Sequence, residues 1–206
     1  MPTSIPFNIV YTDNNLPTKG TDYSIGYDVI AAAPPKIVGD TLDDIHYSSI
    51  DYIEYNTKLI LQNPNFDSPY HQQLDNLHQC PIATFLCSRS SVTKYNLILK
   101  NNFGIIDPDY KNECLMRFAY LIQPQDLRMK KIYEDEGQDF NVFTCKINQN
   151  KIYRKNDKIG QLIFTPFVNV DFSHVNSVRE TTRSGGFGST DNNNKHIAEQ
   201  FVLPLK

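Results

Sequence analysis

Residues 82–106 open with Ile82-Ala83-Thr84-Phe85-Leu86-Cys87-Ser88-Arg89-Ser90-Ser91 and continue through Leu97-Ile98-Leu99-Lys100-Asn101-Asn102-Phe103-Gly104-Ile105-Ile106. Ile82 to Cys87 is a short run of β-formers that breaks into polar residues. Leu97 to Leu99 is a second, and Asn101-Asn102 with Gly104 supplies the chemistry of a tight hairpin-like turn into a third. Three short strands separated by polar turns predict a β-rich fold. Working outward, similar runs occur at Phe7 to Tyr11, Lys58 to Leu61, Cys114 to Ile122, Val142 to Ile147 and Ile159 to Val170. Clusters of Asn, Asp, Gly and Pro separate them. Helix is expected at most over Asp40 to Tyr55, Ser68 to His78 and the turn after Arg89. Many short strands at fairly regular spacing indicate an all-β barrel or jelly roll.

The chain has 206 residues, 40% of them hydrophobic and 21% charged, which suits one folded domain spanning 1–206. Lys and Arg number 20 against 23 Asp and Glu, giving a formal charge of −3. No global basic field attracts nucleic acid, so an anionic ligand must be caught by a few placed groups. No run approaches the roughly 20 apolar residues that span a bilayer. The opening Met-Pro-Thr-Ser-Ile-Pro has neither the charged nor the apolar region of a signal peptide. The expectation is therefore an intracellular protein, cytoplasmic or nuclear, with free thiols at Cys80, Cys87, Cys114 and Cys145. A viral origin is left open. The spacing of His71, His78, Cys80 and Cys87 fits no standard zinc pairing.

Three stretches stand apart. Residues 63–81 are polar and read as an inserted loop, as do residues 123–141, where Met129-Lys130-Lys131 and Glu134-Asp135-Glu136 form charge blocks. The third, Ser184 to Asn194, is nearly pure Gly, Ser, Thr, Asp and Asn, and belongs to a mobile C-terminal arm over 180–206.

Chemistry could reside in that arm. Arg183-Ser184-Gly185-Gly186-Phe187-Gly188-Ser189-Thr190 offers backbone N–H groups, hydroxyls and a guanidinium that can converge on an anion. Ser88-Arg89-Ser90-Ser91, at a strand end opening a helical turn, is a second phosphate cradle. The third element runs from Asn101 to Tyr110 and contains Asp107 directly after Ile105-Ile106. That placement predicts a side chain at the rim of the core, where a carboxylate can orient or deprotonate a water. Gly26-Tyr27-Asp28 and Ile159-Gly160-Gln161-Leu162 read alone as strand with a polar residue pointing out.

In order, these five pieces resemble the five motifs of the trimeric dUTPases. Motif one is Ser24-Ile25-Gly26-Tyr27-Asp28-Val29, and motif two is Arg89-Ser90-Ser91. Motif three spans Asn101 to Glu113, motif four is Lys158-Ile159-Gly160-Gln161-Leu162-Ile163, and motif five is the loop from Arg183 to Thr190. The resemblance implies a β-barrel or jelly-roll subunit in a homotrimer with three shared active sites. It implies Mg²⁺-dependent cleavage of dUTP to dUMP and pyrophosphate, which keeps uracil out of DNA and supplies dUMP for dTMP synthesis. Asp107 would activate the attacking water. Tyr110 would pack on the deoxyribose, and Asn101, Gly104 and Ile106 would belong to the hairpin that reads uracil. Arg89, Ser90, Ser91 and Gln161 would contact phosphates, and Asp28 a metal-bound water. From motif five, Phe187 would stack on uracil while Arg183, Gly188, Ser189 and Thr190 close over the nucleotide.

The chain departs from the family pattern in places. Ser88 stands where proline is usual, and Lys111-Asn112 precede Glu113 where a glycine is usual. Lys158 and Gly160 replace a common arginine and alanine, and motif five is one residue short after Arg183. Two rivals are weighed. A dCTP deaminase shares this fold, but needs a glutamate on the strand after the Asp-Pro element, where this chain has Arg117. A regulatory protein on the same scaffold would engage a partner through the inserted loops.

Overall fold

A side chain that is apolar at every second position can bury one face of an extended chain and leave the other to solvent. Tyr52-Ile53-Glu54-Tyr55-Asn56 and Leu115-Met116-Arg117-Phe118-Ala119-Tyr120 both do this, burying Ile53, Tyr55, Met116, Phe118 and Tyr120. A computed structural model describes residues 8–11, 16–62, 82–133, 139–168 and 170–177. The strands in chain order are β1 (Asn8–Tyr11), β2 (Thr18–Lys19), β3 (Tyr27–Ile30), β4 (Lys36–Val38), β5 (Tyr52–Asn56), β6 (Leu59–Gln62) and β7 (Ile82–Ser88). They continue with β8 (Leu97–Leu99), β9 (Phe103–Ile106), β10 (Leu115–Tyr120), β11 (Leu127–Tyr133), β12 (Asp139–Cys145) and β13 (Lys158–Pro166).

All described pairings are antiparallel. One sheet has the order β2-β3-β13-β7-β9 and another β4-β5-β10-β8, with two-stranded ribbons β1-β6 and β11-β12. A single buried cluster draws on both larger sheets, with Val29, Leu86, Ile159 and Leu162 from the first and Ile53, Tyr55, Leu99, Met116 and Phe118 from the second. Each such side chain, fully buried, contributes about 1.5–3 kcal/mol. Tyr55, Phe118 and Tyr153 meet edge-on with centroids 5.6–6.0 Å apart, and the Tyr55 hydroxyl donates to the Tyr153 carbonyl at 3.2 Å. This is the all-β architecture expected. The chain divides into two units, Met1–Val168 and Asn169–Lys206; in the second, residues 170–177 are extended without strand or helix.

Three expectations are corrected. Asp40 to Tyr55 forms no helix: Asp43 Oδ1 accepts from the backbone of Ile45 and His46, bending the chain locally, and β5 follows. The local side-chain bonds outcompete helical ones. Secondly, residues 123–141 are no irregular excursion. A 3₁₀ turn at Pro124–Asp126 leads into the β11-β12 hairpin, paired from Leu127↔Cys145 to Tyr133↔Asp139. Its root is fixed by buried Asp126, which accepts from the Tyr120 hydroxyl at 2.8 Å and the Gln123 N–H at 2.9 Å. The hairpin leaves Met129 and Phe143 exposed opposite one another. Thirdly, Ile105 and Asp107 are exposed instead of lying at the core rim, because β9 is the edge strand of its sheet and pairs with β7 alone. The expected loop at 63–81 and the helix at Ser68 to His78 lie outside the described residues, apart from Gln62 at the end of β6.

Candidate functional site

Pairing register decides which side chains meet. Asp28 on β3 faces Gln161 on β13, Gln161 faces Cys87 on β7, and Cys87 faces Phe103 on β9. Cross-strand partners share a face of the sheet. This row therefore points one way, while the next row, Tyr27, Leu162, Leu86 and Gly104, points the other, where Leu162 and Leu86 enter the core. Strands stand about 4.8 Å apart, so the row from β3 to β9 spans roughly 14 Å.

A charge cluster occupies the Asp28 end of the row. Lys158 Nζ donates to Asp28 Oδ2 at 2.8 Å and Gln161 Nε2 to Oδ1 at 3.3 Å. Arg89 Nε lies 2.8 Å from Oδ1 as a charge contact without hydrogen-bond alignment. The Asp28 side chain is only 4% exposed, so it points into this cluster and not out of the strand as expected. Burial alone would raise its pKa. The Lys158 and Gln161 hydrogen bonds and the charges of Arg89 and Lys158 outweigh it, and the carboxyl is held below the ordinary aspartate value.

The local sequence explains how Lys158 reaches this carboxylate. Residues three apart on a regular strand face opposite ways, but β13 carries a register shift between Lys158 and Gly160, with Ile159 and Gly160 both buried. One extra residue brings Lys158 and Gln161 to the same face. Gly160 is needed for this: a Cβ there would lie 2.5 Å from Met116 Sδ and 3.1 Å from the Cys87 carbonyl oxygen. Met116 thus fills the space that an alanine would claim. Gly26 similarly makes room for Gln161, since a Cβ on it would be 3.0 Å from the Gln161 amide. Arg89 caps the 3₁₀ turn Ser90–Lys94, accepts the Val92 N–H at 3.0 Å on its carbonyl, and directs Nη1 to Ser91 Oγ at 3.4 Å. Ser90 is exposed at the same end.

The second feature is a pocket of about 340 Å³ on the core-facing side of β9. Asn101, Gly104, Ile106 and Tyr110 line it with Leu115, Met116 and Arg117. Its turn is shaped by Asn102, whose φ of 59° is left-handed, a conformation asparagine tolerates well. The Asn101 amide packs over Gly104, where a Cβ would stand 3.4 Å from Nδ2. The Tyr110 hydroxyl donates to the Glu113 carbonyl at 3.2 Å, and Lys58 holds Glu113 in turn through its backbone N–H at 2.8 Å. Asp107 lies just beyond β9, exposed, its carbonyl accepting the Tyr110 N–H at 3.0 Å.

The structure thus brings Asp28, Arg89, Ser91 and Gln161 together, and separately Asn101, Gly104, Ile106 and Tyr110. It does not unite the two groups within one chain. Arg183, Phe187, Gly188, Ser189 and Thr190 lie outside the described residues. Sequence reading missed Lys158 as the principal Asp28 partner, and Gly26 and Gly160 as the residues that make space. Only the register reveals them.

Among the described residues no three His, Cys, Asp or Glu side chains could enclose a metal ion. A carboxylate offers about four acceptor positions, and Asp28 already receives three donors or charges. The set suits a metal that arrives on a polyanion and touches Asp28 through a water. The thiols of Cys87, Cys114 and Cys145 are free and held above their ordinary pKa by burial, Cys114 at about 11, which keeps them protonated at neutral pH. No helix among the described residues is long and apolar enough to cross a membrane.

No family model matches the chain. Among curated proteins, the deoxyuridine 5'-triphosphate nucleotidohydrolase of Lactococcus lactis subsp. lactis (strain IL1403) is 26% identical over 177 residues, 85% of this chain and 87% of that one. The enzyme of the same name from Desulfitobacterium hafniense (strain DSM 10664 / DCB-2) is 29% identical over 114 residues, 53% of this chain and 57% of that one. Among solved structures, the dUTPase of Staphylococcus bacteriophage 80alpha with dUpNHpp superposes at a TM-score of 0.57 and 16% identity, covering 91% of this chain and 99% of that one. The dUTPase of phage phi11 of S. aureus, solved with a structural Mg(II) ion, gives a TM-score of 0.51 and 16% identity over 84% and 97%. At such identities the structural likeness speaks for the fold.

Proposed function

We infer that this chain, which belongs to the dUTPase family, hydrolyses dUTP to dUMP and pyrophosphate. The observation that carries the inference is the placement of four motifs on β3, β13, β7 and β9, four adjacent strands of one sheet. Residues drawn from most of the chain's length converge there on a charge cluster and a nucleobase-sized pocket.

The roles follow from the chemistry of each group. Asn101, Gly104 and Ile106 hold the uracil in the pocket, and Tyr110 packs on the deoxyribose and leaves no space for a 2′-hydroxyl. Arg89, Ser90, Ser91 and Gln161 bind phosphate oxygens, the first as a forked donor. Arg183, Phe187, Gly188, Ser189 and Thr190 complete the site from the C-terminal segment. Asp107 takes a proton from water as its oxygen bonds to the α-phosphorus and the bond to the bridging oxygen of the β-phosphate breaks. Mg²⁺, when bound to the triphosphate, supplies charge neutralisation. Asp28 meets it through a water and holds Arg89 and Lys158 in place.

The opposed facing of the two half-sites supports an assembly. Asp28 and Gln161 point to one face of the sheet and the pocket opens on the other, so one nucleotide cannot occupy both in a single chain. Phe103 and Ile105, 50% and 63% exposed, lie on the same face as the charge cluster and are suited to burial against another subunit. We assign a homotrimer in which the pocket of one subunit meets the charge cluster of the next.

The deaminase reading is disfavoured because none of the pocket's lining residues is an acid. The deciding experiment incubates purified protein and Mg²⁺ with dUTP, dCTP, dTTP or UTP and follows pyrophosphate and base identity. Hydrolysis of dUTP well above the others is expected. Ammonia released from dCTP would transfer the protein to the deaminases.

A further inference from the structure

Arg117 occupies an unusual position. It projects from β10 on the same side as Leu115, and both line the pocket with Asn101, Gly104 and Tyr110. A second recess of about 310 Å³ is lined by Lys100, Asn101, Leu115 and Arg117, without Tyr110, Gly104 or Ile106. Arg117 therefore stands where the pocket and this recess adjoin. It is also fixed: Nε donates to Glu54 Oε2 at 2.8 Å, and the guanidinium carbon lies 4.5 Å from the centre of the Tyr52 ring. Glu54 is its cross-strand partner on β5. Among the described residues nothing hydrogen-bonds its terminal Nη nitrogens, so the donor end of a held cation remains available to a ligand.

A pyrimidine carries its sugar on N1, and C4 lies directly across the ring. With the deoxyribose against Tyr110, a placement that rests on the function proposed above, C4 points away from Tyr110 toward the wall that Arg117 provides. We propose that Arg117 reads the 4-oxo group of the base and so sets the preference for uracil over cytosine. An arginine has only donors. It satisfies the O4 of uracil, but confronts the 4-amino group of cytosine with N–H against N–H.

The test measures binding of dUpNHpp and its cytosine counterpart to the full chain by titration calorimetry, with dUTP hydrolysis followed in parallel. Arg117→Leu should weaken the uracil analogue about 10- to 100-fold, the range for one charge-assisted hydrogen bond, and leave the cytosine analogue unchanged or tighter. Its effect on hydrolysis should fall on KM more than on kcat. Arg117→Lys keeps the charge and should recover part of the selectivity. Melting temperatures of both variants separate this from loss of the tie to Glu54. An unchanged ratio of the two affinities in Arg117→Leu, or in Arg117→Lys should the leucine variant not fold, would overturn the proposal and leave Arg117 a strand-pairing residue. A wild-type protein that binds the analogues selectively but does not hydrolyse dUTP would instead refute the enzymatic reading alone.

Discussion

Gly160→Ala tests whether β13 owes its local path to the absence of one methyl group. The new Cβ would stand 2.5 Å from Met116 Sδ, 2.7 Å from its Cε and 3.1 Å from the Cys87 carbonyl oxygen. The first two contacts are impossible as they stand, and the third involves backbone that is fixed by the β7-β13 pairing at Gly160↔Ser88. Met116 can turn about three bonds, which moderates the strain, but it is 1% exposed and has little free space to enter. Overpacking of this kind costs about 1–3 kcal/mol, and methionine's flexibility places the expectation at about 1–2 kcal/mol. For a chain of this size that lowers Tm by about 2–8 °C. Met116→Ala alone should cost about 2–5 kcal/mol by leaving a cavity. In the double variant the alanine methyl enters the vacated space, so the combined loss should fall short of the sum by at least about 1 kcal/mol. Thermal and urea unfolding of all four proteins completes the cycle. Losses that add within about 0.5 kcal/mol would show that Met116 and residue 160 do not compete for space, and the account of the glycine would be wrong.

Asp28→Asn removes a carboxyl held below its ordinary pKa, so its contribution is complete above about pH 4 and disappears as pH falls through the lower folded value. The variant should melt lower at neutral pH, with the two curves of Tm against pH converging in acid; a constant gap down to pH 2 would contradict this. Asp107→Asn should lower turnover by about 10²–10⁴-fold with nucleotide binding retained, as measured by pyrophosphate release and calorimetry. Gly26→Ala should push the Gln161 amide away from Asp28 and raise KM for dUTP more than it lowers kcat, which steady-state kinetics will show. Multi-angle light scattering should give the mass of three chains, and a fully active monomer would exclude shared sites.

Much of the strand content was legible because β7, β8 and β10 carry uninterrupted or alternating apolar residues. The β11-β12 hairpin was not, since Arg128, Lys130 and Lys131 mimic a solvated charge block; the hidden signal was the alternation of Leu127 and Met129 with charged residues. Asp40 to Tyr55 misled through its Asp and Ser content, although Ile53 and Tyr55 already alternate with Tyr52 and Glu54. Asp28 was legible as a motif residue but not as a buried one. Its burial depends on Lys158 and Arg89, which reach it only through strand order and a bulge. Arg117 could be read as the absence of an acid; its grip on Glu54 and Tyr52 depends on the β5-β10 register.

The union of Asp28 with Lys158 and Gln161 joins residues 130 and 133 positions apart in the chain. Closing so long a loop costs roughly 4 kcal/mol of chain entropy, against roughly 2 kcal/mol for ten residues. During synthesis β3 has only β2 to pair with until β13 emerges, roughly 7–26 s later at 5–20 residues per second. The phosphate-binding end therefore cannot form stepwise beside the growing chain. It arises when the last described strand slots between β3 and β7, which places its assembly at the end of folding and makes slow, millisecond-to-second refolding the expected behaviour.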